Sequence, residues 1–329
     1  LGLNIQVLKV KLRELSDIYP WHFMVFIFLA MIIPKLYQLS NVFWIGKISF
    51  EALAITEQYE FIGVTIEIVN ETIPFGILAL IAQNYRNRDK VISILKAGLV
   101  LHVFLSLLLM SIVILFAPQF VSTIGTPKEI VDVTKNYLIL KSISLPFESV
   151  AILLLISIKA MQKGKEALYL ATFSVLLNMA LDMILISNFD FSLHLGITGV
   201  AIGYVISNIA YMLACLIFII KILKINLYEF IRTAFKDNIK PIFTIGGWTG
   251  LDSLVRNVGY IGTLMVLNLI GVNEFGGYGL AMTVMWTVII PVLALTEGTN
   301  VAIGNFYGDR KYRDIKTLTL RFLGVYVVA

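Results

Sequence analysis

Charge is scarce in this sequence: only 14% of its 329 residues are Asp, Glu, Lys or Arg, whereas 58% are hydrophobic. A soluble domain of this size needs a charged surface that such a composition does not supply. Cysteine is nearly missing too. Cys215 stands alone inside an apolar stretch, which excludes a disulfide within the chain. His22, His102 and His194 are scattered, and neither a metal-ligand cluster nor a nucleophile motif accompanies them, so an intramembrane enzyme lacks its catalytic set. What fills the chain is apolar stretches of about 20 residues or more, each long enough to cross roughly 30 Å of hydrocarbon. They recur from end to end, too many for a single anchor. The fold class that follows is an all-α polytopic membrane protein.

Eight complete spans are expected at 21–45, 52–82, 94–116, 131–158, 167–186, 197–220, 242–270 and 278–306, with a ninth starting near Ile315. Residues 7–19 alternate charged and apolar side chains, the pattern of a short interfacial helix. The net charge of +5 and pI near 9.1 do not point to nucleic acid, because the basic residues sit in short links between spans. Lys9, Lys11, Arg13, Arg86, Arg88, Lys90, Lys96, Lys159, Lys163, Lys165, Lys221, Lys224, Arg232, Lys236, Lys240, Arg310, Lys311, Arg313 and Lys316 all fall on one side, whereas the opposite links hold Lys47, Lys128 and Lys135. The positive-inside rule then makes the N-terminus cytoplasmic in a multi-pass protein of the cell membrane.

The chain also repeats itself. Ile45-Gly46 and Phe50 recur as Ile270-Gly271 and Phe275, a shift of 225, and the block from Gly76 to Gln83 recurs from Gly298 to Asn305, a shift of 222. Spans 1–2 therefore match spans 7–8, a parallel repeat of six-span units joined by the basic link 221–240. The expected organisation is a six-span N-terminal lobe at 1–220, a cytoplasmic linker at 221–240 and part of a second lobe at 241–329. A second lobe of six spans would carry three to four more after Ala329.

Within spans an ionisable side chain costs about 2.5–3.5 kcal/mol on insertion scales. Lys35, Glu57, Glu60, Glu67, Glu71, Lys141, Glu148, Asp182, Asp252, Arg256 and Glu297 all lie there. Lys35 and Glu57 are near enough to span ends to snorkel. Glu60, Glu67 and Glu71 fall within about 40° of one another on one helix face. They either form a cation or proton path or pair with Lys35, Lys141 or a neighbouring helix. Ser174, Asn178 and Asp182 make a polar stripe at i, i+4, i+8; an acid with an amide one turn away suits a proton or Na⁺. Asp252 and Arg256, at i, i+4, are spaced to neutralise each other. Glu297 and Asn300 are expected to face a cavity of the second half, and Tyr204, Asn208 and Tyr211 share one face of span 6. Pro34, Pro74, Pro146 and Pro291 fall inside spans, where each permits a bend.

Asn41-Val-Phe-Trp-Ile-Gly46 followed by Glu51-Ala-Leu-Ala54 resembles the first-loop pattern of the multidrug and toxic compound extrusion (MATE) transporters. Ala82-Gln83 through Arg88-Asp89 occupies the place of that family's polar loop. Met161-Gln162-Lys-Gly164, Asn178 to Asp182, and Leu195-Gly196-Ile-Thr-Gly199-Val-Ala-Ile202 are similar to its spans 4–6 in order and spacing. The resemblance implies a two-lobe bundle around a central cavity, alternating access, and H⁺ or Na⁺ as the coupling ion in place of any cofactor. It further implies a small organic substrate and a monomer in the bilayer, with a flippase of lipid-linked precursors as the alternative. In the DinF-like branch, an aspartate of span 1 joins an Asn/Asp pair of span 5. Asn178 and Asp182 match that pair, and Asn41 stands where the aspartate would be. The site expected on this basis comprises Asp182, Asn178, Asn41, Glu67, Glu71, Tyr204 and Glu297, with no metal beyond a coupling Na⁺ at Asp182 and Asn178.

Overall fold

The computed structural model describes residues 21–328, so the expected interfacial helix at 7–19 lies outside the described residues. In chain order the helices are α1 (Trp21–Ile48), α2 (Phe50–Glu57), α3 (Glu60–Asn84), α4 (Arg88–Thr123), α5 (Val131–Ser142), α6 (Leu145–Ala160), α7 (Gly164–Leu185) and α8 (Gly196–Leu223). The short α9 (Leu227–Arg232) and a 3₁₀ turn (Lys236–Asn238) lead to α10 (Ile239–Ile270), α11 (Val272–Gly308) and α12 (Tyr312–Val328). Among the described residues, seven helical stretches are long and apolar enough to cross a membrane, α2 and α3 together counting as one. They become eight when α5 and α6, bent by 47° at their junction, are taken as one broken span.

The breaks have local causes. Pro146 stands in the first turn of α6, where its missing N–H costs no helical bond, so the chain restarts there and does not run on from α5. Span 2 is interrupted at Gln58 and Tyr59, where bonding tightens to Tyr59 N–H donating to Thr56 O at 3.2 Å. In α4, Phe116 leaves helical geometry (φ −112°, ψ 18°) two residues before Pro118, whose ring cannot sit against an unbroken preceding turn. The starts are capped by side chains: Ser49 Oγ accepts from Ala52 N at 3.0 Å, and Asn87 Oδ1 accepts from Lys90 N at 3.1 Å. α8 ends on Lys224 in the left-handed conformation (φ 48°).

α1 packs against α7 and α11, and α3 lies along α10. Lipid offers apolar helices no hydrophobic reward for leaving it, so close backbone approach has to supply contact. Gly246 and Gly76 provide that approach between α10 and α3. A Cβ at Gly246 would stand 1.8 Å from Thr72 O, and one at Gly76 2.4 Å from Ile242 O. The crossing sets the register of everything further along this antiparallel pair. The largest buried cluster, with Ile27, Ile73, Ile77, Ile81, Leu153 and Ile158 at its centre, joins α1, α3 and α6 at the same level.

The basic link turned out to be a bound segment. Arg88 grips it with a fork, Nη1 to Glu229 Oε1 at 2.6 Å and Nη2 to Glu229 Oε2 at 2.8 Å, while its Nε donates to Leu223 O at 2.6 Å. Lys96 Nζ donates to Ile231 O and Thr233 O, and Lys90 Nζ to Asn238 Oδ1. The same hydrogen bonds that hold the linker depress the Glu229 carboxyl below its ordinary range, chiefly through Arg88. Basic residues that the sequence assigns to topology alone thus also satisfy the carbonyls of the following link.

Candidate functional site

α1, α2, α3, α5, α8, α10 and α11 surround a cavity of about 630 Å³. Its lining is unusual for the interior of a membrane protein. Lys35, Lys141 and Arg256 share it with Glu57, Glu60 and Glu67, and Asn41, Tyr137, Tyr204, Asn257, Tyr260 and Trp286 fill the spaces between. Each charge arrives there for a local reason. Lys35 and Asn41 lie six residues apart on α1, with Gln38 accepting from Lys35 Nζ at 2.7 Å. Gly279 of α11 makes room for Glu57, since a Cβ at that position would meet the Glu57 carboxyl carbon at 2.1 Å. Lys35 and Glu57 are therefore cavity residues and not snorkelling ends.

The acidic face of span 2 divides in two. Glu67 and Glu71 are held by one nitrogen of Arg256, at 2.9 Å and 2.7 Å, so their partner is α10 rather than Lys35 or Lys141. Asp252 approaches the other Arg256 nitrogen at 3.5 Å, a longer contact than either glutamate makes. Arg256 prefers α3 because the glycine crossing brings the two helices together about three turns earlier on α10. Glu67 lines the cavity, while Glu71 stands behind it on the same guanidinium.

Asp182 is buried, at 9% exposure, away from the cavity wall. The Tyr37 hydroxyl of α1 donates a hydrogen bond to its Oδ2. Tyr37 lies one turn before Asn41 on the same face, and it was missed because a phenol in an apolar span carries no charge signal. Asn41 lines the cavity, with Oδ1 buried and without a hydrogen-bond partner. Asn178 does not bridge to the acid: its Nδ2 donates to Ser174 O at 2.8 Å in its own helix.

Glu297 does not line the cavity. It turns instead to Lys159 of α6, with 2.9 Å between Nζ and Oε1. Both side chains are nearly excluded from solvent, at 6% and 14% exposure. At the other end of the bundle, Gln58, between α2 and α3, and Asn268 of α10 exchange two hydrogen bonds at 2.5 and 3.1 Å, and Asn268 also donates to Ile124 O at 2.8 Å. Tyr204 lines the cavity as expected of a polar face, whereas Tyr211 packs beside the largest apolar cluster. Among the described residues, no group of His, Cys, Asp and Glu is arranged to hold a metal ion.

A bundle of membrane-crossing helices around a polar, mixed-charge cavity is the architecture of a multi-pass membrane protein. A model of the MatE family matches residues 27–184 and 253–329, and the chain belongs to that family. It is 27% identical over 231 residues to the multidrug export protein MepA of Staphylococcus aureus, covering 68% of this chain and 49% of that protein. It is 22% identical over 305 residues to the probable multidrug resistance protein YoeA of Bacillus subtilis, covering 89% and 65%. The outward-facing structure of a multidrug resistance MATE family transporter of the MOP superfamily superimposes with a TM-score of 0.79 at 18% identity, covering 92% of this chain and 68% of the other. The chain thus spans about half the length of the MepA proteins it matches.

Proposed function

We propose that this chain carries the six-span lobe and the beginning of the second lobe of an antiporter that exports organic, drug-like or metabolite solutes in exchange for H⁺ or Na⁺. The observation that carries the reading is the cavity of about 630 Å³, large enough for a small organic molecule and lined by charges of both signs where a merely structural bundle gains nothing from them. Membership of the MatE family and the export activity named for MepA support solute transport. In this scheme the N-terminus is cytoplasmic, the working unit is a monomer in the cell membrane, and access to the cavity alternates between the two sides.

Asp182 is the proposed coupling group. A buried carboxylate with one hydroxyl donor has unused acceptor capacity, so a proton or Na⁺ has somewhere to sit. Tyr37 is the positioning partner that reports the state of Asp182 to α1, which runs on into the cavity at Asn41. Asp182→Asn keeps the shape and the acceptor for Tyr37 but removes ionisation. Efflux driven by an imposed pH or Na⁺ gradient in proteoliposomes should fall at least tenfold, with substrate affinity retained. Wild-type gradient-driven efflux by this variant would remove Asp182 from the mechanism.

A further inference from the structure

The clasp to α4 uses only one face of the 221–240 link. Lys221, Lys224, Arg232, Lys236 and Lys240 are all exposed, and none forms an ion pair among the described residues. Of the two acids in the same stretch, Glu229 is committed to Arg88, which leaves Asp237 against these cations. α9 divides its side chains accordingly. Phe230 packs against the largest apolar cluster, with Lys96 Nζ 5.7 Å from its ring centre. Tyr228 and Ile231, on the other side, are 61% and 65% exposed, and the Arg232 guanidinium carbon lies 4.3 Å from the centre of the Tyr228 ring. The level of this patch follows from its contacts. Lys96 Nζ donates to Ile231 O at 2.6 Å and to Thr233 O at 2.9 Å, so the link runs along the flank of α4, about two turns in from its start, and not beyond its end. Lys96 is the last Asp, Glu, Lys or Arg of α4, Lys221 is the first of α8, and Lys240 is followed by no other in α10 before Asp252. The three mark one level, where hydrocarbon gives way to headgroups. An apolar pair held there beside unpaired cations faces lipid of opposite charge, not open water.

We propose that the outer face of this link is a seat for an anionic phospholipid of the leaflet on the side of the basic links. Tyr228 and Ile231 lie against the glycerol and the upper acyl chains, and Arg232, with Lys224 and Lys236, holds the phosphodiester and any further negative charge of the headgroup. Stacking on the Tyr228 ring orients the Arg232 guanidinium and leaves its N–H groups free for a phosphate. A zwitterionic lipid carries the same phosphate together with its own ammonium, which the unpaired cations repel, so net negative charge is what the seat selects. The link is already fixed to α4 through Arg88, Lys90 and Lys96, so the lipid does not have to order a loose loop in order to bind. Neither the cavity nor its contents enter into this binding, which stands apart from the transport reading.

Cys215 is the only cysteine and is fully buried, so Ile231→Cys places a single accessible thiol in the patch. The test labels that thiol with bimane in the full chain, reconstitutes it in phosphatidylcholine vesicles, and compares quenching by spin-labelled phosphatidylglycerol and spin-labelled phosphatidylcholine at equal mole fraction. The anionic lipid should bind about threefold or more tightly than the zwitterionic one. Lys224→Gln, Arg232→Gln and Lys236→Gln together should bring the ratio to about one, with thermal unfolding unchanged. Bimane at Leu115→Cys, on an exposed apolar flank of α4 away from the link, should show no preference in either protein. Equal quenching by the two lipids at position 231 would overturn the proposal, as would the same preference at position 115, which would mean general enrichment around the bundle. Quenching at 231 by aqueous iodide alone would place the patch in water, and quenching by neither agent would mean that residues 1–20 or a second copy cover it; either result refutes the seat. Inorganic phosphate at constant ionic strength should leave the preference intact, and its abolition would reduce the seat to a site for phosphate ion. Should the triple variant fail to fold, Arg232→Gln alone should at least halve the preference, and an unchanged ratio there would equally refute the seat.

Discussion

The contact between Lys159 and Glu297 makes a strong claim about stability. The two charges stand 2.9 Å apart, with side-chain exposures of 6% and 14%, and tie α6 to α11. Glu297 Oε1 lacks a well-directed hydrogen bond, so the contact is Coulombic in character. At an effective dielectric of about 20, attraction at this distance is about 6 kcal/mol, most of it offset by the cost of removing both groups from water. Removing one partner leaves the other charge stranded. Glu297→Gln and Lys159→Met should each lose about 3–5 kcal/mol, while the double variant should recover much of that because no buried charge remains. A double-mutant cycle on unfolding in detergent micelles, by reversible denaturation or steric trapping, should therefore return a coupling of about 2 kcal/mol or more. Additive losses, with coupling below about 0.5 kcal/mol, would mean that the two groups are solvated separately and that the pair does not join these helices.

Gly246→Ala should separate α10 from α3, since the added methyl meets a backbone carbonyl that cannot rotate away; a loss of at least about 2 kcal/mol is expected from unfolding measurements, with wild-type stability refuting the close crossing. Arg256→Gln removes the cation shared by Glu67 and Glu71, so the melting temperature should drop and Glu67→Gln in the same background should restore part of it; no rescue would show that the glutamates do not repel each other there. Glu229→Gln breaks the fork to Arg88, and limited proteolysis in the 221–240 link should accelerate at neutral pH. Because the folded Glu229 carboxyl titrates below its ordinary value, its contribution is fully present above that value and is lost as pH falls through the folded one. Wild-type cleavage should therefore accelerate only in acid, and equal cleavage of both proteins at neutral pH would count against the clasp.

The spans were legible because their signal is composition over about 20 residues, and lipid tolerates little else. The junctions were less so. Span 2 reads as one apolar run, yet it breaks at Gln58, which is buried and leans on Asn268, 210 positions further along the chain. Pro146 is visible inside span 4, but the sequence does not say whether a proline bends a span or restarts it. Charged residues could be found by type, and six of them do line the cavity. Their partners could not, because Arg256 lies 185 residues from Glu71 and the contact depends on how α3 and α10 cross. Tyr37 was invisible for a different reason. Aromatic residues in apolar helices usually pack, and only proximity in space shows that this one meets an acid.

Glu297 and Lys159 lie toward the end of the bundle where α4 begins, whereas Gln58 and Asn268 meet at the end where α4 finishes. One fastening is made of full charges and the other of neutral amides. Charges feel an electric field, ionic strength and the proton concentration of the compartment they face; a pair of carboxamides responds to none of these. A transmembrane voltage or a change of salt would thus act unequally on the two ends of the bundle. Any asymmetry in how firmly the two ends of the bundle are held is then written into the chemistry of these two fastenings.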